Sequence, residues 1–504
     1  MGNILSEKNQ EPVLKNHYLY SILNPKSLCI FGANNSLLNT MGSMQLRNIL
    51  AGGFKGPIYP IHPNLKEIQG LKAYKSVLNL PETPELAFLI LPPRAVPRVM
   101  EECGQKGIKR LIITSGGFRE VGSNGVKLSE QISEIANKYD MRFIGPNCLG
   151  VFNGWYEPEN KDSHFNTMWL YITPERGPIS IAAHSGTVAS HIFWYARDIG
   201  AKIGKSLSIG NENNIDVVDV LEYYRDDPET KVIGLYIEEI KRGREFIELV
   251  KEITPIKPIV AIYAGGSEAA SRAISSHTGA IAGNDNIYEA VFKETGIIST
   301  FSIKDFINYL RAFSYGIIPK GKKIAILTDS GGSGSMMAKA AEIYGLKIPE
   351  FSEKLKSKIQ KLIPPTASTT NPIDLTFDVN LYAFYVKIPK VLMTSGEIDG
   401  ILLYGAFGFE KIMEILKNHG DDMNGLDFNT ELMKGMWLKP VQRVVRKTSV
   451  PIFYINPMGF YDSWSRTFIN TDIPIFDLWD YPVKCMAILA QYSDYRKRLL
   501  NNSD

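Results

Sequence analysis

GPISIAAHSGTVASHIFWYARDIGA, residues 177–201, decides the fold. Ile179–Ala183 is a short apolar run without strict polar alternation. It enters a turn of small residues, His184–Thr187, and a longer amphipathic stretch follows. A short, nearly continuous apolar run marks a strand covered on both faces, as in a parallel sheet layered with helices. The same order of strand, small-residue turn and helix occurs twice more. FGANNSLLNTMG (31–42) follows the run SLCIFG (27–32), and TDSGGSGSM (328–336) follows GKKIAILT (321–328).

Each of the three turns opens a fresh series. Around the first, strands are predicted at SLCIFG, PIYPIH (57–62), LAFLIL (86–91), RLIITS (110–115) and MRFIG (141–145), with helices at Val96–Gly107 and Val126–Tyr139 between them. After the second come SLSIG (206–210), KVIGLYI (231–237) and KPIVAIY (257–263). After the third come GILLYGAF (400–407) and VPIFYIN (450–456). The pattern predicts an α/β protein of three Rossmann- or flavodoxin-like domains, each a doubly wound parallel sheet with a ligand site where its first strand meets its helix. Boundaries are expected in the polar stretch 150–176 and near YGIIPKGKK (315–323), dividing the chain into 1–150, 151–318 and 319–504.

A chain of 504 residues is too long for one core. Its 44% hydrophobic and 22% charged residues are ordinary for a globular protein. With 56 basic against 53 acidic residues the net charge is +3, which gives no reason to expect a nucleic-acid or membrane-surface partner. The 4 cysteines are scattered without a CxxC pair, so neither a structural metal nor a disulfide framework is expected, and a reducing, cytoplasmic compartment fits. No apolar run reaches the roughly 18 residues of a membrane helix. The opening MGNILS matches a myristoylation pattern, but nothing else in the chain points to a lipid anchor.

Gly- and Ser-rich turns at helix N-termini leave backbone N–H groups for phosphate, and the helix dipole assists. Gly32-Ala33-Asn34-Asn35-Ser36 is no strict GxGxxG, and a plain α/β turn reads equally well. His184-Ser185-Gly186-Thr187 lacks the GxSxG of a hydrolase elbow, since Ala183 stands where glycine belongs. Ser330-Gly331-Gly332-Ser333-Gly334 is the most phosphate-like, yet no GxxxxGK[ST] occurs anywhere, so a nucleoside triphosphate would be gripped by another chain.

Of 7 histidines, His17, His62, His164, His191 and His419 read as structural or solvated. His277 lies in a long small-residue segment after an apolar strand, Gly265–Gly283, where glycines permit close backbone approach. Taken as a lone residue it would still be read as structural. Its context changes the reading. SHTGAIAG (276–283) resembles the phosphohistidine loop of NDP-forming acyl-CoA synthetases, the succinyl-CoA synthetase superfamily. AGGFKGPIYPIHPNLKEIQG (51–70), ITSGGFRE (113–120) and RFIGPNCLGVFN (142–153) are similar to that family's first domain. GNENNIDVVDVLEYYRDDPETKVIGLYIEEI (210–240) resembles its second, and TDSGGSGSM and TNPIDLT (370–376) its third.

The resemblance implies an acid–thiol ligase subunit. It puts Gly32, Ala33 and Asn34 at the CoA phosphates with Pro63 and Pro92 nearby. It makes His277 the phosphoryl carrier, oriented by Glu238 or by its neighbour Glu239. It assigns the phosphate cradle to Ser185, Gly186 and Thr187 and to Gly331, Gly332, Ser333 and Gly334. The chemistry implied is acyl-CoA plus phosphate to acyl phosphate, then phosphohistidine, with release of a small carboxylic acid. ADP or ATP with Mg would bind a separate ATP-grasp beta subunit in a symmetric hetero-oligomer, since nothing here resembles that part. Three departures bear on the acid pocket: Ala-His-Ser-Gly where Ser-Gln-Ser-Gly is usual, Tyr263 where Lys or Trp is usual, and Asn34 where Ser is common. His184 is left open between a contact to phosphate or acyl group and a structural substitution.

Competing readings are weaker. A dehydrogenase needs an acidic residue closing the second strand, but Ile61-His62-Pro63-Asn64 stands there. A CoA-binding sensor leaves SHTGAIAG unexplained. A catalytically inert paralogue keeps the loop and loses the turnover.

Overall fold

The computed structural model describes residues 13–501 apart from 38–39, 171, 268, 271, 273–282, 377–379, 406–417 and 419–433. Its residues divide into two compact units. One comprises the chain up to Arg197 together with Ala201–Leu310, the other Asp198–Gly200 together with Arg311 onward.

The first unit holds two sheets. In the first sheet β1 (Leu28–Phe31), β2 (Ile58–Ile61), β3 (Leu86–Leu89), β4 (Arg110–Ile113) and β5 (Arg142–Ile144) are all parallel, in the order β2-β1-β3-β4-β5. Its strands lie where the apolar runs predict. The reason is visible in the packing. Leu28 and Ile30 enter one core cluster, while Cys29 and Phe31 enter another on the opposite face. Both faces of β1 are dry, so hydrophobicity need not alternate. Helix α1 (Met41–Ala51) covers one face through Leu46 and Ile49; Val96–Lys106 and Ser123–Tyr139 cover the other through Met100, Cys103, Ile132 and Ala136.

The second sheet contains β6 (Val151–Asn153), β7 (Phe165–Asn166), β8 (Ile179–Ala183), β9 (Ile203–Ser208), β10 (Val232–Ile237), β11 (Ile259–Tyr263) and β12 (Ile298–Ser299), in the order β12-β11-β10-β8-β9-β6-β7. Five of its strands are parallel, but β6 runs antiparallel to β9 and β7 antiparallel to β6. This edge departs from the doubly wound expectation. It occupies the polar stretch 150–176, where the sequence reading places a domain boundary. Several buried side-chain amides here bond to main-chain carbonyls. Buried Asn48 Nδ2 donates to the carbonyls of Met168 and Leu170 at 2.7 and 3.0 Å, and Asn153 Nδ2 donates to Leu23 O at 3.1 Å. Polar composition therefore hides a packed element. One core cluster joins Leu28 and Phe88 of the first sheet to Leu207, Ile233 and Leu235 of the second, which is why the two sheets form one unit.

The second unit carries a parallel sheet of β13 (Ile324–Thr328), β14 (Ile373–Asp374), β15 (Gly400–Tyr404), β16 (Ile452–Ile455) and β17 (Ile475–Phe476), ordered β14-β13-β15-β16-β17. Among the described residues no helix is long and apolar enough to cross a membrane. All four cysteines are buried and unbridged.

Candidate functional site

In the first sheet the strand order reverses between β1 and β3, the switch point where open α/β sheets bind ligands beyond their carboxyl ends. Gly32 follows β1, Pro63 lies just beyond β2 and Pro92 just beyond β3, so the predicted CoA residues leave three adjacent strands at one edge. Gly32 has φ +86°, and a methyl group there would overlap the Ile90 carbonyl oxygen and stand 2.9 Å from its carbon. The turn is braced by its own side chains. Asn34 N–H donates to Ser43 Oγ at 2.9 Å, Ser36 N–H to Asn34 Oδ1 at 2.7 Å, and Thr40 Oγ1 to Gly32 O at 3.0 Å. Asn34 thus commits its amide and its side-chain oxygen to holding the turn open, a role the sequence did not indicate. Gln69 Nε2 ties the turn to the small hairpin that follows β2 by donating to Asn34 O and Ser43 O at 3.2 and 2.8 Å.

In the second sheet three neighbouring strands deliver the phosphoryl-transfer candidates. The carboxyl end of β8 runs through His184 and Ser185 into helix α2 (Gly186–Ile199); Glu238 follows directly on β10, and β11 ends at Tyr263, ahead of the segment bearing His277. His277 itself lies outside the described residues. Ser185 caps its helix, its Oγ accepting from Val188 N–H at 3.3 Å, and Gly186 fits because a methyl group there would stand 2.8 Å from Leu149 Cδ1.

Glu238 and Glu239 differ sharply. Glu239 pairs with Arg119 at 3.2 Å. Glu238 is buried, at 4% exposure, and its Oε2 has no hydrogen-bond partner among the described residues. A buried carboxylate oxygen without a partner is costly. Of the two acids, Glu238 is the one with a buried oxygen that has no partner among the described residues.

His184 is also buried, and both of its ring nitrogens face protein groups. Nε2 stands 3.1 Å from Glu212 Oε2, close enough for an ion pair, though neither atom makes a directional hydrogen bond. Nδ1 lies 3.1 Å from Tyr236 O and 3.3 Å from Glu238 N. Burial disfavours the charged ring, but Glu212, with Glu238 behind it, outweighs burial and raises the imidazole above its ordinary value. Glu212 was not foreseen. It sits on a loop at φ +49°, uncommon for a residue other than glycine, and its Oε1 accepts from Val217 N–H at 2.7 Å at the start of helix α3 (Val217–Asp226).

In the second unit the third turn leads from β13 into helix α4 (Gly331–Ile343). Thr328 Oγ1 accepts from Ser330 N–H at 3.0 Å and Ser333 Oγ donates to Ser330 O at 2.8 Å, while Gly331 and Gly332 are exposed and Ser333 and Gly334 buried. An Asp374 carboxylate oxygen stands 3.0 Å from the position of a methyl group on Gly331, so this turn is flanked by negative charge. No cluster of His, Cys, Asp and Glu fit for a metal ion occurs among the described residues.

Two family models match the chain: a CoA binding domain over residues 26–154 and a succinyl-CoA ligase like flavodoxin domain over residues 176–313. The alpha subunit of ADP-forming acetate–CoA ligase II from Pyrococcus furiosus is 34% identical over 440 residues, covering 85% of this chain and 93% of that protein. An ADP-forming acetate–CoA ligase of Methanocaldococcus jannaschii is 38% identical over 364 residues, covering 72% of this chain and 50% of that protein. Among solved structures, a dinucleotide-forming acetyl-coenzyme A synthetase from Ca. Korarchaeum cryptofilum, in complex with phosphate and ADP, superposes with a TM-score of 0.82 at 28% identity, over 96% of this chain and 99% of that chain. The match thus runs nearly the length of an alpha subunit and about half the length of the M. jannaschii ligase.

Proposed function

Since the chain belongs to the ADP-forming acyl-CoA synthetases of the acetate–CoA ligase type, we propose that it is the CoA-binding, phosphohistidine-carrying alpha subunit of such an enzyme. It interconverts acyl-CoA, ADP and phosphate with a small carboxylic acid, ATP and CoA. The observation that supports this best is the departure of the His184–Thr187 turn, Glu238 and the segment containing His277 from three adjacent strand ends of one sheet.

In the first half-reaction, phosphate oxygen attacks the thioester carbonyl, the C–S bond breaks, and CoA leaves as acyl phosphate forms. A neutral nitrogen of His277 then takes the phosphoryl group, and the P–O bond to the carboxylate breaks. Glu238 accepts the other ring N–H, fixing the tautomer and balancing the positive charge that develops. Ser185, Gly186 and Thr187 at one helix N-terminus, and Gly331, Gly332, Ser333 and Gly334 at another, serve the phosphate oxygens. CoA sits on the Gly32–Asn34 turn with Pro63 and Pro92 beside it. The three sheets are read as three domains, 1–150, 151–318 and 319–504. ADP or ATP with Mg binds a partner subunit of the ATP-grasp type in a symmetric hetero-oligomer, in the cytoplasm.

The test is to incubate the purified chain with inorganic phosphate and a panel of acyl-CoAs and to assay acid-labile protein phosphate. Label that disappears in His277→Ala supports the reading, and the best acyl-CoA identifies the acid. If the chain stays unlabelled with every acyl-CoA, alone and with an ATP-grasp partner and ATP, it is an inert CoA binder.

A further inference from the structure

Two side chains clasp the turn after β1 to the small hairpin after β2, each gripping the other's main chain. Asn35 Oδ1 accepts from Gln69 N–H at 2.7 Å, and Asn35 Nδ2 donates to Glu67 O at 3.2 Å. In return Gln69 Nε2 donates to Asn34 O and Ser43 O. The hairpin pairs Glu67–Ile68 with Leu71–Lys72, which leaves Gln69 and Gly70 as its two-residue turn, at φ +49° and +83°. Such a turn favours Asn, Asp or Gly at its first position. Gln at that position carries left-handed strain, and strain of this kind gathers where a side chain has a task. Asn would suit the backbone better, but its side chain is one methylene shorter and falls short of the two carbonyls.

The carbonyl that Gln69 holds decides where an amide points. The Asn34–Asn35 peptide is trans, so its C=O and N–H project in opposite directions. With Asn34 O turned to Gln69, Asn35 N–H is turned away from it. Of the three amides from Asn34 to Ser36, the outer two are spent inside the turn, on Ser43 Oγ and on Asn34 Oδ1. Asn35 N–H has no partner among the described residues, and Asn35 is exposed. A carbonyl oxygen facing a phosphate repels it, whereas a backbone N–H binds it. The clasp therefore draws one acceptor aside and leaves one aimed donor. We propose that Asn35 N–H donates to a phosphate oxygen of CoA and that Gln69 is the positioning residue that aims it. This rests on the CoA reading of the Gly32–Asn34 turn above.

The experiment titrates the whole chain with CoA, and with pantetheine, which lacks phosphate, in wild type, Gln69→Met and Gln69→Asn. Gln69→Met keeps the length and the left-handed strain but donates nothing. Gln69→Asn eases the backbone but does not span to the carbonyls. Both should raise the Kd for CoA by about 10-fold, the weight of one charge-assisted hydrogen bond, and leave that for pantetheine within about twofold. The two variants differ in backbone strain, so the same loss in both separates aiming from stability. If either folded variant binds CoA within about twofold of wild type, the proposal falls while the CoA reading stands. If pantetheine weakens as much as CoA, Gln69 shapes the site as a whole and the proposal falls as well. Wild type that binds no CoA strikes the CoA reading instead. A measurement on wild type covers variants that fail to fold. With 15N-asparagine, the Asn35 amide, assigned by its loss in Asn35→Asp, should shift downfield and exchange more slowly with CoA but not with pantetheine. An Asn35 amide that CoA leaves unmoved overturns the proposal.

Discussion

Gly32→Ala tests the CoA site through the backbone alone. At φ +86° an alanine is strained by about 1–2 kcal/mol. Its methyl group would also overlap Ile90 O and lie 2.9 Å from Ile90 C, where ordinary carbon contacts are about 3.5–4.0 Å. The main chain at Ile90 cannot swing aside as a side chain would. The β1 and β3 ends must therefore part by at least about 0.5–1 Å, adding roughly 1–3 kcal/mol. The expected loss of stability is about 2–5 kcal/mol. If the turn's amides hold CoA phosphate, losing one charge-assisted hydrogen bond costs about 1.5–3 kcal/mol, or about 10- to 150-fold in Kd. Gly107→Ala is the matched control. Gly107 has φ +92° in the same sheet's helical cover, but a methyl group there meets only Thr83 Cγ2 at an ordinary 3.7 Å. It should cost stability by strain alone and leave CoA affinity unchanged. The assay is calorimetric CoA titration beside chemical denaturation. If Gly32→Ala is destabilised as expected yet binds CoA within about twofold of wild type, the ligand does not rest on this turn, and the reasoning from switch point to CoA is wrong.

Glu238→Gln should slow His277 labelling by about 100-fold or more, by analogy with loss of the carboxylate that sets a catalytic histidine's tautomer. Glu239→Gln, which breaks only the Arg119 pair, should change it less than about fivefold; equal effects would refute the distinction. Lys205→Met leaves Asp227 buried without the ammonium 2.7 Å away, and denaturation should show a loss of about 3–5 kcal/mol, largely recovered in Lys205→Met/Asp227→Asn. Burial, opposed by Asp219 and Asp226, lowers the pKa of His17 to about 4. Below pH 6.5 the unfolded chain therefore takes up a proton that the folded chain refuses, and stability falls as pH drops from 6.5 toward 4. His17→Asn, which can still cap the helix Tyr18–Leu23, should lose less than wild type across that window. The difference is at most about 2 kcal/mol after allowing for the ring's partial exposure, measured by denaturation at pH 7 and pH 4.5.

Much of the fold was legible because burial on both faces writes itself into a strand locally. Leu28–Phe31 must be apolar at every position, and so must Ile324–Thr328 until the last, so the runs stand out without knowledge of their neighbours. The edge strands β6 and β7 were not legible. Their stability comes from carbonyls and side-chain amides contributed from residues more than 100 positions away, such as Asn48 to Met168. The two-residue strands β12, β14 and β17 are too short to show any period.

The candidate site divides the same way. Sequence alone determined which turns could hold phosphate, because glycines and serines between an apolar run and a helix have a local conformational reason. Through the SHTGAIAG segment it also marked His277 as the residue to test. Only the tertiary structure distinguishes the surroundings of Glu238 and Glu239: the two are adjacent in sequence and identical in chemistry, but Glu238 is buried, while Arg119, 120 positions from Glu239, reaches Glu239. Only the fold brought Glu212 against His184. A charge balance among buried groups is a property of the pocket, where low dielectric makes each contact count, and no spacing along the chain records it.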